Sequence, residues 1–534
     1  MAIYVFSILS GYEMGGVDAA QARRGKMLEK SGEKVTYVFT DVPDEYYIRR
    51  YRNLGISDDK MLSAHAFLTG KTELSGRFSA SDYIAKYQRI VPNIKVIREE
   101  KRVQLFDGNK RTAVMELRDD EESIYAINRY ESERLIAQDI YTDRLMWTHH
   151  YITADDGNGA YAKRDRTTFY DADGRVCFDM FKYEGEEFDP YAYVHGYNAK
   201  SVERYVFPNG QVLDQFAFLE RFVKKMNMTE SDVVILDRPL GEKWIEPLFR
   251  LRKLPQILVY HHSDHYFLPG EEIGALGWNK EYLYYIRNID KIAGFVVASE
   301  DQKADMLKRF RDEGLESPII YVAPTCGLEK LEYPVEERRP YSLITASRLH
   351  SRKKPDMLIR AVIKAHEKIP QLSIDIYGDG VKAYVNELKE IVISAGAESY
   401  IRFMGHQDMD GRYLRYEAFV SASTWECMSV SMMEAVAAGN AVIGWDVRYS
   451  SRMYIKNREN GVRIPVVLAE LADSQYENIY VEKMADAIAD TFKKRDTIKK
   501  YVAGSYEIAE RFLDDRLSDI WVKIIREVAG GMSD

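Results

Sequence analysis

Apolar residues along the chain follow two rhythms, and each predicts a different kind of element. In the first, short apolar runs alternate with amphipathic stretches of helical period. Ile3–Leu9 reads as a strand, Gly11, Gly15 and Gly16 punctuate a turn, Val17–Glu29 reads as a helix and Glu33–Thr40 as a second strand. Strand, glycine turn, helix and strand at this spacing predict a βαβ unit. From about Ala66 to Val206 the rhythm changes to alternation with period two. RTAVMEL (Arg111–Leu117), ESIYAINRY (Glu122–Tyr130), RLMWTHHYI (Arg144–Ile152), TTFYD (Thr167–Asp171) and RVCFDMF (Arg175–Phe181) all carry it. The dipeptides Asp107-Gly108, Asp156-Gly157, Asp173-Gly174 and Asn209-Gly210 separate strands with a strong hairpin signal. The region predicts an antiparallel meander inserted into the first α/β domain.

The first rhythm then returns. Val212–Asn227 reads as a helix, and Asp232–Asp237, Gln256–Tyr260, Phe295–Ser299 and Ile319–Val322 as buried strands. Glu329–Pro340 is charged, contains proline and reads as a linker. A second α/β half begins at Tyr341, with strands predicted at Leu372–Gly378, Ile401–Gly405, Ala418–Ser423 and Ala441–Asp446. Helices are predicted at Met357–Lys368, Val381–Ala395 and Val430–Ala438, and Lys483–Met532 is mainly helical. The domain division read from these rhythms is 1–65 with 207–335, an insert at 66–206, a second half at 336–505 and a terminal helix at 506–534. Ligands of doubly wound sheets bind at the carboxyl ends of strands, which directs attention to the loops there.

Composition narrows the function. At about 150 residues per domain, 534 residues predict about three domains or two large ones. A net charge of −9 argues against a general binder of phosphate backbones, and thus against nucleic acid as a partner. Cys177, Cys326 and Cys427 are far apart and form no CxxC pair, so a reducing, cytoplasmic compartment is expected. Met1–Leu9 has no basic segment before it and reads as a strand, not a leader, and no run approaches a membrane span.

Four constellations carry candidate chemistry. Glu426 and Glu434 lie in TWECMSVSMMEAVAAG, the first after a strand and the second inside the following helix. A carboxylate accepts two hydrogen bonds and suits a vicinal diol. The amides of Met428, Ser429 and Val430, where that helix starts, suit a diphosphate. Arg348 and Lys353, in ITASRLHSRKKPD, follow the first strand of the second half and can stabilise a departing nucleoside diphosphate. Gly15-Gly16 follows a strand and opens a helix, without a full GxGxxG or a Walker motif, so a plain tight turn is equally compatible. His261, His262 and His265 end a central strand in a spacing that does not match a helical zinc site, and His262 is read as a polar group at a reacting sugar. The Asp171-Ala172-Asp173 pair resembles a metal-binding DxD but falls in a hairpin turn, so no metal is expected.

The ITASRL…K segment, the IYGDG strand end and the E-x7-E followed by A-x-A-A-G resemble retaining glycosyltransferases of family 4, with the GT-B fold. The whole chain is similar to one branch of them. That branch holds the accessory-secretion-system glycosyltransferases that O-glycosylate serine-rich repeat adhesins, and the related teichoic-acid α-glycosyltransferases. GGVDAAQ and VYHHSDHY match the corresponding segments of that branch. The resemblance implies two Rossmann-like domains facing a cleft, with a β-sheet domain inserted in the first. It implies that Arg348 and Lys353 bind the diphosphate, Glu434 the ribose hydroxyls and Glu426 the donor sugar. Gly16 would lie against the phosphates, His262 near the anomeric carbon, and Gly405-His406 near the base. The chain departs from the branch at Glu426-Cys427-Met428-Ser429, where relatives read E-G-F-G, and at Glu13-Met14-Gly15.

The expected activity is therefore retaining transfer from UDP-N-acetylglucosamine or UDP-glucose to Ser/Thr hydroxyls of a protein. A teichoic-acid or glycolipid acceptor is one alternative, and a non-catalytic acceptor-binding subunit another. Assembly through the inserted domain, with a companion glycosyltransferase-like subunit, is also implied by the resemblance, and membrane contact is at most peripheral.

Overall fold

The computed structural model of the chain describes residues 1–7, 16–43, 45–155, 159–184, 201–237, 242–265, 278–424, 426–471 and 473–530. The first strand is Ile3–Ser7, followed by helix Gly16–Lys30 and strand Val35–Phe39. Ile3 lies in parallel register with Val35 on one side and Val233 on the other. Ile8, Leu9, Gly11 and Gly15 lie outside the described residues. The parallel sheet has seven strands in the order Ile320–Val322, Gly294–Val297, Gln256–Tyr260, Val233–Leu236, Ile3–Ser7, Val35–Phe39, Met61–Ser63. Val233–Leu236 and Gly294–Val297 are buried at every residue, as expected of parallel strands covered on both faces.

The alternating region forms a ten-stranded antiparallel meander in which sequence neighbours pair, from Lys95–Glu99 to Val212–Asp214. Gly108, Gly174 and Gly210 stand at φ of +59°, +76° and +83° in three of its turns, a region open to glycine at no steric cost. Asp156-Gly157 lies outside the described residues. Two element predictions are corrected here. The stretch before Lys95 is not strand but contains helix Ala80–Ile90, whose Tyr83, Ile84 and Tyr87 recur at helical spacing and pack onto the sheet core with Leu105, Met115 and Ile127. Val212–Asp214 closes the sheet as its edge strand. The helix starts only at Gln215, because Asp214 caps it by accepting from the Ala217 amide at 2.8 Å.

The insert is anchored by an aromatic cluster. His65 hydrogen-bonds the Tyr205 hydroxyl at 3.1 Å, and Tyr205 stacks on Phe218 with centroids 3.7 Å apart. Burial holds the His65 imidazole neutral, with its pKa pushed down to about 3.

A six-stranded parallel sheet follows in the order Ile401–Gly405, Ser373–Tyr377, Ser342–Ala346, Ala418–Ser421, Ala441–Trp445, Gly461–Ile464. Helices Pro355–Lys368 and Glu477–Phe492 contribute Leu358, Val362, Met484 and Ile488 to its core. Segment 329–340, read from the sequence as a linker, carries no helix or strand, yet it is held firmly. Arg338 donates to the Tyr416 carbonyl at 2.6 Å, and Arg339 pairs with Asp375 at 2.7 Å. Asp375 also accepts from Arg402 and from the Tyr416 hydroxyl, each at 2.6 Å. Burial alone would raise its pKa, but these donors outweigh it and keep the carboxylate below its ordinary range. The helical terminus resolves into Glu477–Phe492, Arg495–Ala509 and Asp514–Val528. Trp521 of the last donates to the Pro324 carbonyl at 2.8 Å.

Chain contacts group Met1–Ala22 with Glu33–Ile257 as one unit and Arg23–Gly32 with Leu258–Asp534 as another. The two parallel sheets and the inserted antiparallel one match the GT-B architecture that the resemblance implies.

A Cβ added at Gly461 would meet the Val442 carbonyl oxygen at 1.8 Å, whereas at Gly444 its nearest neighbour is the Ser421 oxygen at 3.3 Å. Gly461→Ala is therefore expected to cost about 3 kcal/mol or more and Gly444→Ala about 1 kcal/mol, since rigid backbone cannot retreat from the first. Urea unfolding of both variants checks the difference, and equal midpoints would contradict it.

Candidate active site

The carboxyl edge of the six-stranded sheet positions the predicted groups. Strand Ser342–Ala346 ends in a loop that passes Arg348, tightens into a short turn at Ser351–Lys353 and enters helix Pro355–Lys368. The loop is shaped by two close approaches. A Cβ at Gly378 would stand 1.9 Å from the Ser347 carbonyl oxygen, and one at Gly380 would stand 2.1 Å from that of Leu349. The amides of Ser347 and Leu349 donate to the Tyr377 and Asp379 carbonyls at 3.1 and 2.8 Å. The IYGDG strand end is thus glycine-bearing because backbone packs on backbone there.

Lys353 forms an ion pair with Glu426, whose Oε1 also accepts from Ser423 Oγ at 3.1 Å. Both partners are about three-quarters buried. The Glu426 carbonyl is itself fixed, accepting from the Tyr449 and Ser450 amides at 3.1 and 3.0 Å. Lys353 and Glu426 line one small recess with Ser347, Ser423, Ser429 and Ser431. Its wall is rich in hydroxyls, and a cation and a carboxylate sit side by side in it.

Helix Val430–Ala437 opens at this recess. Ser429 is its N-cap, accepting from the Met432 amide at 3.2 Å, and the Ser429 amide donates to Ser450 Oγ at 3.0 Å. The amides at the start of the helix, including Val430, have no acceptor within it by helix geometry, and they carry the positive end of its dipole. Glu434 lies one turn further on. Its Oε1 accepts from Arg23 at 2.5 Å and its Oε2 from the Tyr413 hydroxyl at 3.3 Å. Burial works against the Arg23 charge, but Glu434 more than compensates and raises its pKa. Burial, with Glu434 beside it, raises the Tyr413 hydroxyl well above its ordinary value.

The other predicted residues fall elsewhere. Arg348 is exposed on the same loop as Lys353. Gly405, at φ +70°, accepts from the Gly378 amide at 2.9 Å, and His406 beside it is exposed. Gly16 opens helix Gly16–Lys30 and is exposed, while Gly15 lies outside the described residues. His262 follows strand Gln256–Tyr260, its amide donating to the Tyr282 hydroxyl at 3.1 Å and its ring 4.5 Å from that of Tyr260. His261 is buried against Tyr282, with centroids 3.7 Å apart, and burial holds it neutral. Asp171 accepts from the Asp173 and Arg175 amides at 2.9 Å, which makes it a turn cap, and no metal-holding cluster occurs among the described residues.

Sequence reasoning missed several partners. Arg23 and Tyr413 hold Glu434 from 411 and 21 residues away, with no local pattern to announce either. Cys427 donates to Asp264 and accepts from Gln302, both at 3.4 Å, and Met428 Sδ accepts from the Thr325 amide at 3.2 Å. At the Cys-Met departure from the family pattern, Cys427 is buried and Met428 half-buried, in contact with Asp264, Gln302 and Thr325.

Residues 340–511 match the family model described as glycosyl transferases group 1. The chain is 29% identical over 537 residues to the UDP-N-acetylglucosamine–peptide N-acetylglucosaminyltransferase GtfA subunit of Streptococcus agalactiae, with 99% of each chain covered. It resembles the crystal structure of the pneumococcal O-GlcNAc transferase GtfA in complex with UDP and GlcNAc, with TM-score 0.82, 27% identity and 99% of each chain covered. For a crystal structure of a GtfA/B complex the TM-score is 0.79 at 27% identity, covering 99% of this chain and 100% of that one.

Burial raises the thiol pKa of Cys427 well above its ordinary value and that of Cys326 up to about 11, and both side chains are buried. Cys177 is only half-buried. Because the thiolate is the reactive form, native protein is expected to release one thiol to a disulfide reagent and the other two only on unfolding. A titration showing two or three fast thiols would contradict this geometry.

Proposed function

We propose, from the premise that this chain is a glycosyltransferase of the GT-B fold, that it transfers N-acetylglucosamine from UDP-N-acetylglucosamine to Ser/Thr hydroxyls of a protein acceptor, with retention at the anomeric carbon. The observation that carries this reading is the Lys353–Glu426 pair beside the Ser429-capped helix, with Glu434 one turn along it. Lys353 and Arg348 take the diphosphate, together with the amides of Met428 and Val430. The Ser429 amide is engaged by Ser450 and acts by shaping the turn. Glu434 takes the ribose hydroxyls and Glu426 a hydroxyl of the donor sugar. Gly405-His406 lie near the base, Gly15-Gly16 against the phosphates and His262 near the anomeric carbon. The acceptor oxygen bonds to the anomeric carbon as the bond to the diphosphate breaks on the same face, and the departing diphosphate takes the acceptor proton. Lys353 and Arg348 stabilise the negative charge that develops on that leaving group.

The names of the full-length relatives favour N-acetylglucosamine over glucose and a peptide acceptor over a polymer. They also favour a companion subunit, which we propose docks through the inserted sheet. We further propose the domain limits 1–65 with 207–335, 66–206, 336–505 and 506–534, and a cytoplasmic site of action. No described helix is long and apolar enough to cross a membrane.

The test is transfer from a panel of UDP- and GDP-sugars to a Ser/Thr-rich polypeptide and to a teichoic-acid polymer, with and without a companion subunit. UDP-N-acetylglucosamine with the polypeptide should be the preferred pair, and Lys353→Ala and Glu434→Ala should each lower kcat/KM by about 100-fold. Preference for the polymer would reassign the acceptor. Absence of turnover with every donor would make the chain an acceptor-binding subunit.

A further inference from the structure

Glu434 is held before any nucleotide arrives. Arg23 Nη2 stands 2.5 Å from one carboxylate oxygen, and the Tyr413 hydroxyl donates to the other at 3.3 Å. A carboxylate has about four lone-pair sites, so one on each oxygen stays open, which suits the two hydroxyls of a vicinal diol. The torsion that turns a carboxylate is soft, so an unbraced Glu434 would present many orientations, of which few match a diol.

Both sides of this brace are anchored independently. Glu434 rides on a helix whose Met432, Met433, Ala435 and Val436 are buried. Tyr413 sits in a short turn and is itself buried, and the Tyr413 and Tyr416 carbonyls accept from Asn440 at 3.0 and 2.7 Å. Arg23 is followed by Arg24, which is fully buried with its guanidinium 4.9 Å from the Trp521 ring centroid. About two turns beyond Arg23 on the same helix, Lys30 makes an exposed pair with Glu329 at 3.1 Å. Arg23 is therefore delivered to Glu434 from the middle of a helix that Arg24 anchors.

We infer that Arg23 is a positioning residue that orients the Glu434 carboxylate for the ribose hydroxyls, and so sets the preference for ribo- over deoxyribonucleotide donors. The inference rests on the assignment of Glu434 to the ribose made above. It adds to that assignment a residue from the middle of helix Gly16–Lys30.

The experiment measures Kd for UDP and for 2′-deoxy-UDP by calorimetry with the full chain. Wild type should prefer UDP by about tenfold or more, the worth of a hydrogen bond to a charged acceptor. Glu434→Ala should abolish the preference. Arg23→Met, which keeps an unbranched stem, should reduce it to about two- to threefold by loosening the same bond, and Arg23→Lys should fall between. Thermal unfolding accompanies each variant, and if Arg23→Met does not fold, the ratio for Arg23→Lys decides. An undiminished preference in the folded Arg23 variants would overturn the inference while leaving the Glu434 assignment standing. Equal wild-type affinity for the two nucleotides would remove that assignment and the inference with it. Failure of wild type to bind either would overturn the donor-binding reading itself.

Discussion

The contact on which the chemistry of this chain depends is backbone against backbone at the carboxyl edge of its C-terminal sheet. A Cβ added at Gly378 or Gly380 would clash with the Ser347 or Leu349 carbonyl oxygen, at 1.9 and 2.1 Å. That approach brings the loop carrying Arg348 and Lys353 onto the neighbouring strand end, where two amide–carbonyl bonds pin it. The lysine is thereby delivered to Glu426, although 73 residues separate them. Neither charge could select that loop path, because ion pairs at partly exposed positions contribute about 1 kcal/mol or less. The steric fit of glycine sets the path, and the charges then occupy it.

The two glutamates meet different company. Glu426 faces a lysine and a serine hydroxyl in the recess, and its carbonyl is tied to the turn at Tyr449-Ser450. Glu434 faces an arginine and a tyrosine. Lysine offers a compact charge with rotatable donors, while arginine offers a planar fork that fixes direction. The first leaves the Glu426 carboxylate free to turn about its partner, and the second holds the Glu434 carboxylate in one direction.

Much of the architecture was legible in the sequence because it depends on local repetition. Buried parallel strands showed as continuous apolar runs, and the meander showed as alternation broken by Asp-Gly and Asn-Gly turns. Helix Ala80–Ile90 carried a legible signal, Tyr83, Ile84 and Tyr87 at helical spacing, but it was masked by the alternation that follows. The pairing of Glu434 with Arg23, and of Asp375 with Arg339 and Arg402, left no such trace. An ion pair between distant residues imposes no period on either neighbourhood, so only the folded chain discloses it. For the candidate site, the motif spacing singled out Lys353, Glu426 and Glu434. It was silent on which of them face one recess and which are braced apart from it.

The segment after Glu426 shows how a family pattern can change without loss of its geometry. Where relatives carry glycine, Cys427 places a thiol in a buried position between Asp264 and Gln302. A weak S–H donor facing a carboxylate is a modest bond, but removing it would leave Asp264, itself buried, short of one donor. Met428 adds a thioether contact to the Thr325 amide. These bonds join the strand-end loop bearing Glu426 to Asp264, Gln302 and Thr325. Neither Cys427 nor Met428 lines the recess beside Lys353 and Glu426, so both act on it through the backbone they hold.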